Sequence, residues 1–264
     1  MQSKKIILAG FLFSFLIGTL TPLNVLAENN EKFDGDVDLK FSGREDVRDG
    51  IKDPENPDVT VDTGVSNGTQ GLLRIDFVPQ LNFGKSKVEN KKVVFPVNAQ
   101  QFEDGTSARG QFIQVSDYRP NPTGWTLQVR QEDQFKSAEN NRLKGAVLSF
   151  DHSWTNSKAD GSKAPNVSKE VIHLNNIGET YDLAKANFGA GGGTWSIVFG
   201  ASAENSSGQQ ATLTPKLDKQ GKPVMDQNKN IYSNTAVKLA IPEAEEIKAG
   251  TYSTVLTWII SELP

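Results

Sequence analysis

The sequence predicts an all-β protein, a β-sandwich or barrel-like arrangement of antiparallel sheets with long loops and minor short helices. Three observations favour this class. Many short segments alternate apolar and polar residues with the two-residue period of a strand. Gly, Pro, Asn and Asp separate these segments, as is typical of turns. Helical periodicity is weak and is confined to residues 134–144 and 181–188, where we expect one or two helical turns.

The predicted strands of the main body begin at 73–77, where apolar residues alternate with Arg74 and Asp76. The others follow in chain order, each a short apolar run bounded by turn residues: 81–83, 93–97, 112–118, 125–131, 146–154, 170–174, 194–199, 211–217, 237–241 and 252–260. Two polar segments, 155–168 and 217–230, are expected to be mobile excursions or hairpin tips.

Residues 1–27 have the organisation of a secretory signal peptide. Lys4 and Lys5 precede an apolar run at 6–20, and small residues end the segment at Ala27. The apolar run is too short to cross a hydrocarbon core of about 30 Å as a helix. We therefore expect cleavage after Ala27, export of the chain and no membrane span.

The remaining chain divides into an acidic N-terminal strand and linker at 28–70 and a β domain at 71–264. The first part carries twelve acids and five bases, few large apolar residues, and Asp53-Pro54-Glu55 near its centre. Such a segment buries too little to offset its ordering entropy, so we expect a loose linker. The alternation within 37–41 predicts one half-buried strand that pairs with the main body.

Charge and cysteine content exclude several classes of function. The whole chain has a formal net charge of −4, whereas residues 71–264 carry +1, so nothing indicates a nucleic acid or an anionic membrane as partner. A neutral or polymeric ligand fits better. The sequence has no cysteine, which removes disulfides, a thiol nucleophile and a lipid-acceptor thiol. Stability must therefore come from burial.

Tryptophan occurs in two strand-like segments, 124–131 and 252–264. In the first segment Trp125 and Leu127 share one face, and the opposite face is polar and half exposed. In the second, Trp258 shares a face with other large residues, and the opposite face is also largely apolar. This pattern predicts either a central strand covered on both sides or a strand with one face open to a partner.

These tryptophans have two interpretations. They are core residues whose indole N–H groups donate to nearby carbonyls, or they line a groove that holds glycan or peptide. The physical reading favours the core. Trp154 and Trp195 stand outside any motif, and we expect them in core or loop packing.

Several segments together resemble the WxL domain family of Gram-positive surface proteins, over essentially the whole chain after residue 27. They are Trp125-Thr126-Leu127, the segment 252–264, Asp53-Pro54-Glu55, Ile75-Asp76-Phe77-Val78-Pro79 with Phe83-Gly84, and Val237-Lys238-Leu239-Ala240-Ile241-Pro242. The second motif reads Trp258-Ile259-Ile260, with Ile where the family pattern has Leu. An aliphatic side chain of equal size keeps the packing.

The resemblance implies a secreted protein that attaches non-covalently to peptidoglycan at the cell wall surface. It also implies surface complexes with other WxL-type proteins and with a membrane-anchored partner that has Ig-like domains. Host surface ligands are a further partner class that stays open. The candidate binding positions marked by the two motif segments are Trp125, Leu127, Trp258, Ile260 and Tyr252.

Neither catalytic residues nor metal or cofactor sites are expected. His152 and His173 are not spaced as a metal-binding pair, and Asp151-His152-Ser153 would point to alternate faces of a strand. The acidic run 34–38 lacks the pattern of a calcium loop. The glycine run 189–193 lacks the Lys and Ser or Thr of a phosphate loop, and we expect a flexible turn there.

Two alternative functions stay open. The chain could be an assembly subunit that binds other proteins through exposed sheet edges by strand addition, and is retained at the wall by a membrane-anchored partner. It could also be a wall hydrolase, because a pair of carboxylates could hide among its many acids.

Overall fold

The structure, a computed structural model, describes residues 49–64, 68–86, 91–242 and 247–263, together with the backbone of a strand at Glu31–Asp34. The predicted signal peptide and the strand predicted at 37–41 lie outside these residues. The strands in chain order are β1 (Glu31–Asp34), β2 (Ile51–Lys52), β3 (Thr60–Val61), β4 (Leu73–Phe77), β5 (Val93–Asn98), β6 (Gln111–Asp117), β7 (Trp125–Gln131), β8 (Val147–Phe150), β9 (Ser153–Asn156), β10 (Asn166–Val167), β11 (Ile172–Leu174), β12 (Thr180–Ala186), β13 (Gly193–Phe199), β14 (Leu213–Pro215), β15 (Met225–Asp226), β16 (Lys229–Asn230), β17 (Tyr232–Ile241) and β18 (Leu256–Glu262). A 3₁₀ turn occupies Gly161–Lys163.

Three antiparallel sheets make up the body. Sheet I has the order β1-β18-β7-β12-β10, and sheet III has the order β4-β6-β13-β9. In sheet II, β8, β14 and β5 all pair with the long strand β17, and β11 pairs with β8. Two small hairpins, β2-β3 and β15-β16, stand beside them. The predicted all-β class is confirmed, and within the described residues no sheet closes into a barrel.

The main core lies between the inner faces of the three sheets, and Phe150 is where they meet. Its ring centroid is 5.0 Å from that of Phe199 in sheet III and 6.3 Å from that of Trp258 in sheet I, the latter in an edge-on arrangement. Phe150 itself belongs to sheet II, so these two ring contacts join all three sheets. Aromatic pairs in such geometries add to the stabilisation that burial gives.

A second, smaller core covers the outer face of sheet III. It contains Phe102, Phe112 and Trp154, and the β2-β3 hairpin contributes Val61. Phe77 belongs here as well, although its alternation predicts that it shares a face with Leu73 and Ile75. The reason is a register shift between Ile75 and Phe77, which transfers Phe77 to the outer face.

Some local predictions are wrong. Residues 180–186 form β12 rather than a helix, because pairing with β7 overrides the weak helical periodicity. Residues 134–144 hold no helix, and Lys136 bridges to Arg142 and Ser253 instead. The single strand expected at 146–154 is two strands, since His152 adopts a left-handed conformation with φ of 50° between them.

The prediction for the two polar segments is confirmed for one of them and incomplete for the other. The segment 217–230 carries the β15-β16 hairpin, so the hairpin expected there is confirmed. The segment 155–168 is not merely an excursion, because it contains the 3₁₀ turn and β10, which pairs with β12.

Residues 49–64 are packed against the body, so the loose linker expected here is wrong for this part of the chain. Asp53 and Glu55 are 3% and 7% exposed. Both Asp53 carboxylate oxygens accept hydrogen bonds of 2.9 Å from Arg109. Glu55 accepts bonds from the backbone N–H of Ser202 at 2.6 Å and from its hydroxyl at 2.5 Å. Charged hydrogen bonds stabilise this segment in place of apolar burial. Its ordered packing therefore cannot be predicted from its amino-acid composition alone.

Arg109 is the cation that neutralises this cluster. Burial acts to lower its pKa, but the hydrogen bonds and charge of Asp53, with the charge of Glu55, raise the pKa above its ordinary value. Arg109 therefore stays charged at any working pH. The segment that holds Asp53 is fixed to the loop before β6 by this pair.

Replacement of Arg109 by Met is expected to lower the free energy of unfolding by about 3 to 5 kcal/mol, because it leaves Asp53 as a buried charge without its partner. Urea denaturation of the two proteins measures the difference. Lys158→Met is the control, since it removes a pair with Asp58 whose side chains are 57% and 76% exposed. Equal stability of the two variants would contradict a structural role for the buried pair.

Candidate functional site

The two motif strands lie side by side in sheet I, although more than a hundred residues separate them in the chain. β7 and β18 pair antiparallel, with Ile260 opposite Leu127 and Trp258 opposite Val129. Residues that are directly opposite share a face of the sheet. The two motif segments therefore form neighbouring strands of a single sheet.

The motif side chains point into the main core. Trp125 and Leu127 are 0% exposed, Trp258 is 1% exposed and Ile260 is 3% exposed. A ligand at the surface of this structure would not touch them. Tyr252 is half-buried, and its hydroxyl donates to the carbonyl of Lys248 at 2.8 Å. This placement is the one that the core interpretation predicts.

β18 is a central strand covered on both faces. It lies between β1 and β7, and Thr257 and Ile259, on the face opposite Trp258, are 1% and 6% exposed. The first of the two arrangements predicted from its sequence is therefore the one that occurs. Ile260, at the position of the departure from the family pattern, packs beside Leu127 in the core.

The outward face of sheet I is polar. Thr126, Gln128 and Arg130 alternate with the buried residues of β7 and are half-buried. The Gln128 amide donates to Asp182 on the neighbouring β12 at 2.6 Å. Arg130 donates to Glu132 at 2.7 Å. β7 and its neighbour β12 thus present hydrogen-bonding groups on the side away from Trp125, whereas β18 places the buried residues Thr257 and Ile259 on that side.

Two indoles hold the glycine loop, which we define as residues 187–193. The Nε1–H of Trp125 donates to the carbonyl of Gly191 at 3.2 Å, and that of Trp195 donates to the carbonyl of Gly192 at 2.9 Å. Trp125 belongs to sheet I and Trp195 to sheet III, so the loop is fixed from both sides of the core. The turn predicted from its composition is present, and the two indole hydrogen bonds hold its backbone in place.

Backbone hydrogen bonds join the glycine loop to two neighbouring loops. The N–H of Gly189 donates to Pro122 at 3.0 Å, and that of Gly191 donates to Lys163 at 2.8 Å. Residues 119–124, 157–165 and 187–193 therefore meet at one end of the molecule. The conformation at Gly191, with φ of 74°, is one that an L side chain rarely adopts, and an added Cβ would lie 2.5 Å from the Trp125 Nε1 atom.

The end of β18 is tied to the same place. The N–H of Leu263 donates to the carbonyl of Gly124, and Thr123 donates to Glu262 at 2.8 Å. Arg119 pairs with Asp117 at 2.7 Å and with Glu262 at 2.5 Å. The hydrogen bond from Arg119 to Asp117 raises the pKa of Arg119, which remains a cation.

Phe188 is exposed at this end, and sequence reasoning missed it. The side chain is 84% exposed, the highest value among the large apolar residues that the structure describes as exposed. The available signal was its position, because it stands outside the alternation of β12 and directly before a glycine run.

Asp151, His152 and Ser153, at the connection from β8 to β9, line one side of a surface pocket of about 260 Å³. Its other lining residues are Lys169, Gly200, Gln209 and Gln210. The expected strand alternation does not hold here, since the left-handed turn at His152 brings the three residues to one side. The His152 Nδ1 atom lies 3.3 Å from Asp151 Oδ2. The Ser153 hydroxyl donates to the carbonyl of Ser168, so its proton is not offered to His152. The three residues do not form a nucleophile relay in this geometry.

The described residues contain neither a metal-binding group of side chains nor a helix suited to cross a membrane. Among them, no group of three His, Cys, Asp or Glu side chains is arranged to hold a metal ion. In the same part of the chain, no helix has the length and apolar character that a membrane span requires.

Comparison with known proteins identifies one family. A family model described as "WxL domain surface cell wall-binding" matches residues 28–264. No curated protein and no solved structure is significantly similar to the chain. The matched range includes the acidic segment as well as the β domain.

Replacement of Trp258 by Ala is expected to lower the free energy of unfolding by about 3 to 5 kcal/mol, because it removes a buried ring at the junction of the sheets. Urea denaturation followed by far-UV circular dichroism measures the change. Leu217→Ala serves as the control, since Leu217 is 56% exposed and its loss should leave stability unchanged. If Trp258→Ala unfolds like the parent, the indole has no core role.

Gly191→Ala is expected to destabilise the protein more than Gly189→Ala does. Both residues have positive φ, 74° and 72°, so each variant carries backbone strain of about 1 to 2 kcal/mol. Only at Gly191 does the new Cβ meet other atoms, namely the Cβ of Ala186 and the Trp125 indole, because nothing lies within 4 Å of a Cβ at Gly189. Thermal unfolding of the two variants tests the difference, and equal melting temperatures would show that the indole does not hold the loop.

Proposed function

The chain belongs to the WxL family of surface cell-wall-binding domains, and from this membership we propose that it attaches non-covalently to peptidoglycan through its β domain. The match over residues 28–264 is the observation that carries the proposal. At the coarser level the chain is a cell-surface, wall-binding protein. The proposal adds the polymer and the mode of attachment.

The placement of the motifs suggests how the domain works. The motif side chains build the core, so the residues that contact the wall are outward-facing ones. The polar face of sheet I and the loops at the Trp125 end provide hydrogen-bonding groups there. The net charge of +1 over residues 71–264 suits an uncharged polymer better than a polyanion.

Export and assembly complete the proposal. The segment 1–27 serves as the signal peptide of a Gram-positive bacterium, and the released chain, from residue 28, resides at the cell wall surface. There it joins complexes with other WxL-type proteins and a membrane-anchored partner that has Ig-like domains. Host surface ligands are a further class of partner. Trp125, Leu127, Trp258, Ile260 and Tyr252 serve as the scaffold of the binding domain.

A second candidate function is protein assembly, with retention at the wall through a partner. The observation in its favour is the incomplete pairing of β12, which β7 covers along one edge. On the other edge β10 pairs only with Ala184 and Lys185, so among the described strands none covers Thr180–Leu183 on that side. An uncovered edge of this kind accepts an additional strand.

Co-sedimentation separates these functions. Residues 28–264 are mixed with insoluble wall sacculi that have been stripped of protein, and the pellet and supernatant are compared. Direct attachment predicts the protein in the pellet, with cellulose particles as the control for trapping. Protein in the supernatant, which pellets only after a membrane-anchored partner is added, contradicts direct attachment and supports assembly. Soluble saccharide released in the same tube would indicate a wall hydrolase.

A further inference from the structure

The glycine loop presents an aromatic ring to solvent from a fixed backbone. Phe188 is 84% exposed, whereas the glycines that follow it in the loop are held by the Trp125 and Trp195 indoles and by the neighbouring loops. Exposure of a large apolar ring loses the stabilisation that its burial would give. Binding residues are often carried by loops that a rigid scaffold holds in place, and the glycine loop is held in this way.

We propose that Phe188 is a stacking surface for a sugar ring of the wall polysaccharide. The inference rests on the proposed function and names the residue and the ligand class at that surface. The face of a phenyl ring carries partial negative charge. The C–H bonds on the apolar face of a pyranose carry partial positive charge, so the two faces attract each other.

The surroundings favour a sugar over a protein as the occupant. Specific protein interfaces bury about 1,200 to 2,000 Å² in total and have an apolar centre made of several residues. Among the other exposed large apolar side chains of the described residues, none lies in the loops 119–124, 157–165 or 187–193. Tyr118 directly precedes the first of these loops, and its hydroxyl is hydrogen-bonded to Asp49 and Thr194. One ring with small neighbours matches the area of a single pyranose face.

Exposed polar side chains suited to sugar hydroxyls stand on the three loops that meet at the glycine loop. Asn187 in the glycine loop, Asn121 in the loop before β7 and Lys163 in the 3₁₀ turn are all exposed. The last two adjoin Pro122 and Gly191 through the backbone hydrogen bonds that join the three loops. Amide and ammonium groups donate hydrogen bonds to hydroxyl oxygens, and the amide oxygen accepts them.

This arrangement gives Trp125 a positioning role in addition to its core role. Its indole donates to the backbone of the glycine loop and has no exposure of its own. The motif therefore acts on the ligand through the loop and not by contact.

The test compares three substitutions at Phe188 in residues 28–264 by co-sedimentation with protein-free sacculi. Phe188→Ala is expected to raise the apparent Kd about tenfold or more, in the range found for central aromatic contacts. Phe188→Tyr keeps the ring and should bind within about twofold of the parent. Phe188→Leu keeps apolar area without a planar face and should lose binding like Phe188→Ala. All three should unfold like the parent, since the side chain is exposed.

Controls make each outcome decisive. Met225→Ala removes another exposed apolar side chain, 58% exposed on the β15-β16 hairpin, and should bind like the parent. Sacculi with and without their secondary polysaccharides show whether the sugar belongs to the glycan strand or to an attached polymer. Parental binding by Phe188→Ala or Phe188→Leu would overturn this inference while the proposed function stands. Absence of binding by the parent protein itself would overturn both.

Discussion

The contact of Phe150 with Trp258 on one side and Phe199 on the other is the constraint on which the structure depends, because it joins three sheets in one core. The chain has no disulfide, so this core and the ladders around it must hold the fold together. The second tryptophan motif is therefore part of the junction itself. Its apolar character follows from packing, and Ile260, which stands where the family pattern has Leu, fits into the same core.

The two tryptophan motifs have related but distinct tasks. Trp258 fills the centre of the core, whereas Trp125 lies at the end of β7, where its indole N–H reaches the glycine loop. β7 turns the residues between its buried ones outward, as Thr126 and Gln128 show, whereas β18 is buried on both faces. A domain built in this way can vary its outer residues and loops without change to the motif, which separates the fold from the contact surface.

Local patterns in the sequence correctly predicted the strands whose conformation depends on their own alternation of apolar and polar residues. β7 was predicted with its inward and outward faces, and β18 as a strand with two apolar faces. Prediction failed where residues far away in the chain determine the local structure. Asp53 is ordered by Arg109, 56 residues away, and β12 is a strand because β7 pairs with it. The shift that moves Phe77 to the second core depends on pairing with β6 and leaves no mark in the alternation.

The position of β18 in the sheet has a consequence for how the molecule is made. β18 follows every other strand in chain order, yet it lies between β1 and β7 and supplies Trp258 to the junction. When a chain emerges with its N-terminus first, sheet I stays incomplete until this last strand arrives. Long-range pairing of this kind folds slowly. The three-sheet core is therefore complete only when residues 256–262 are available for pairing.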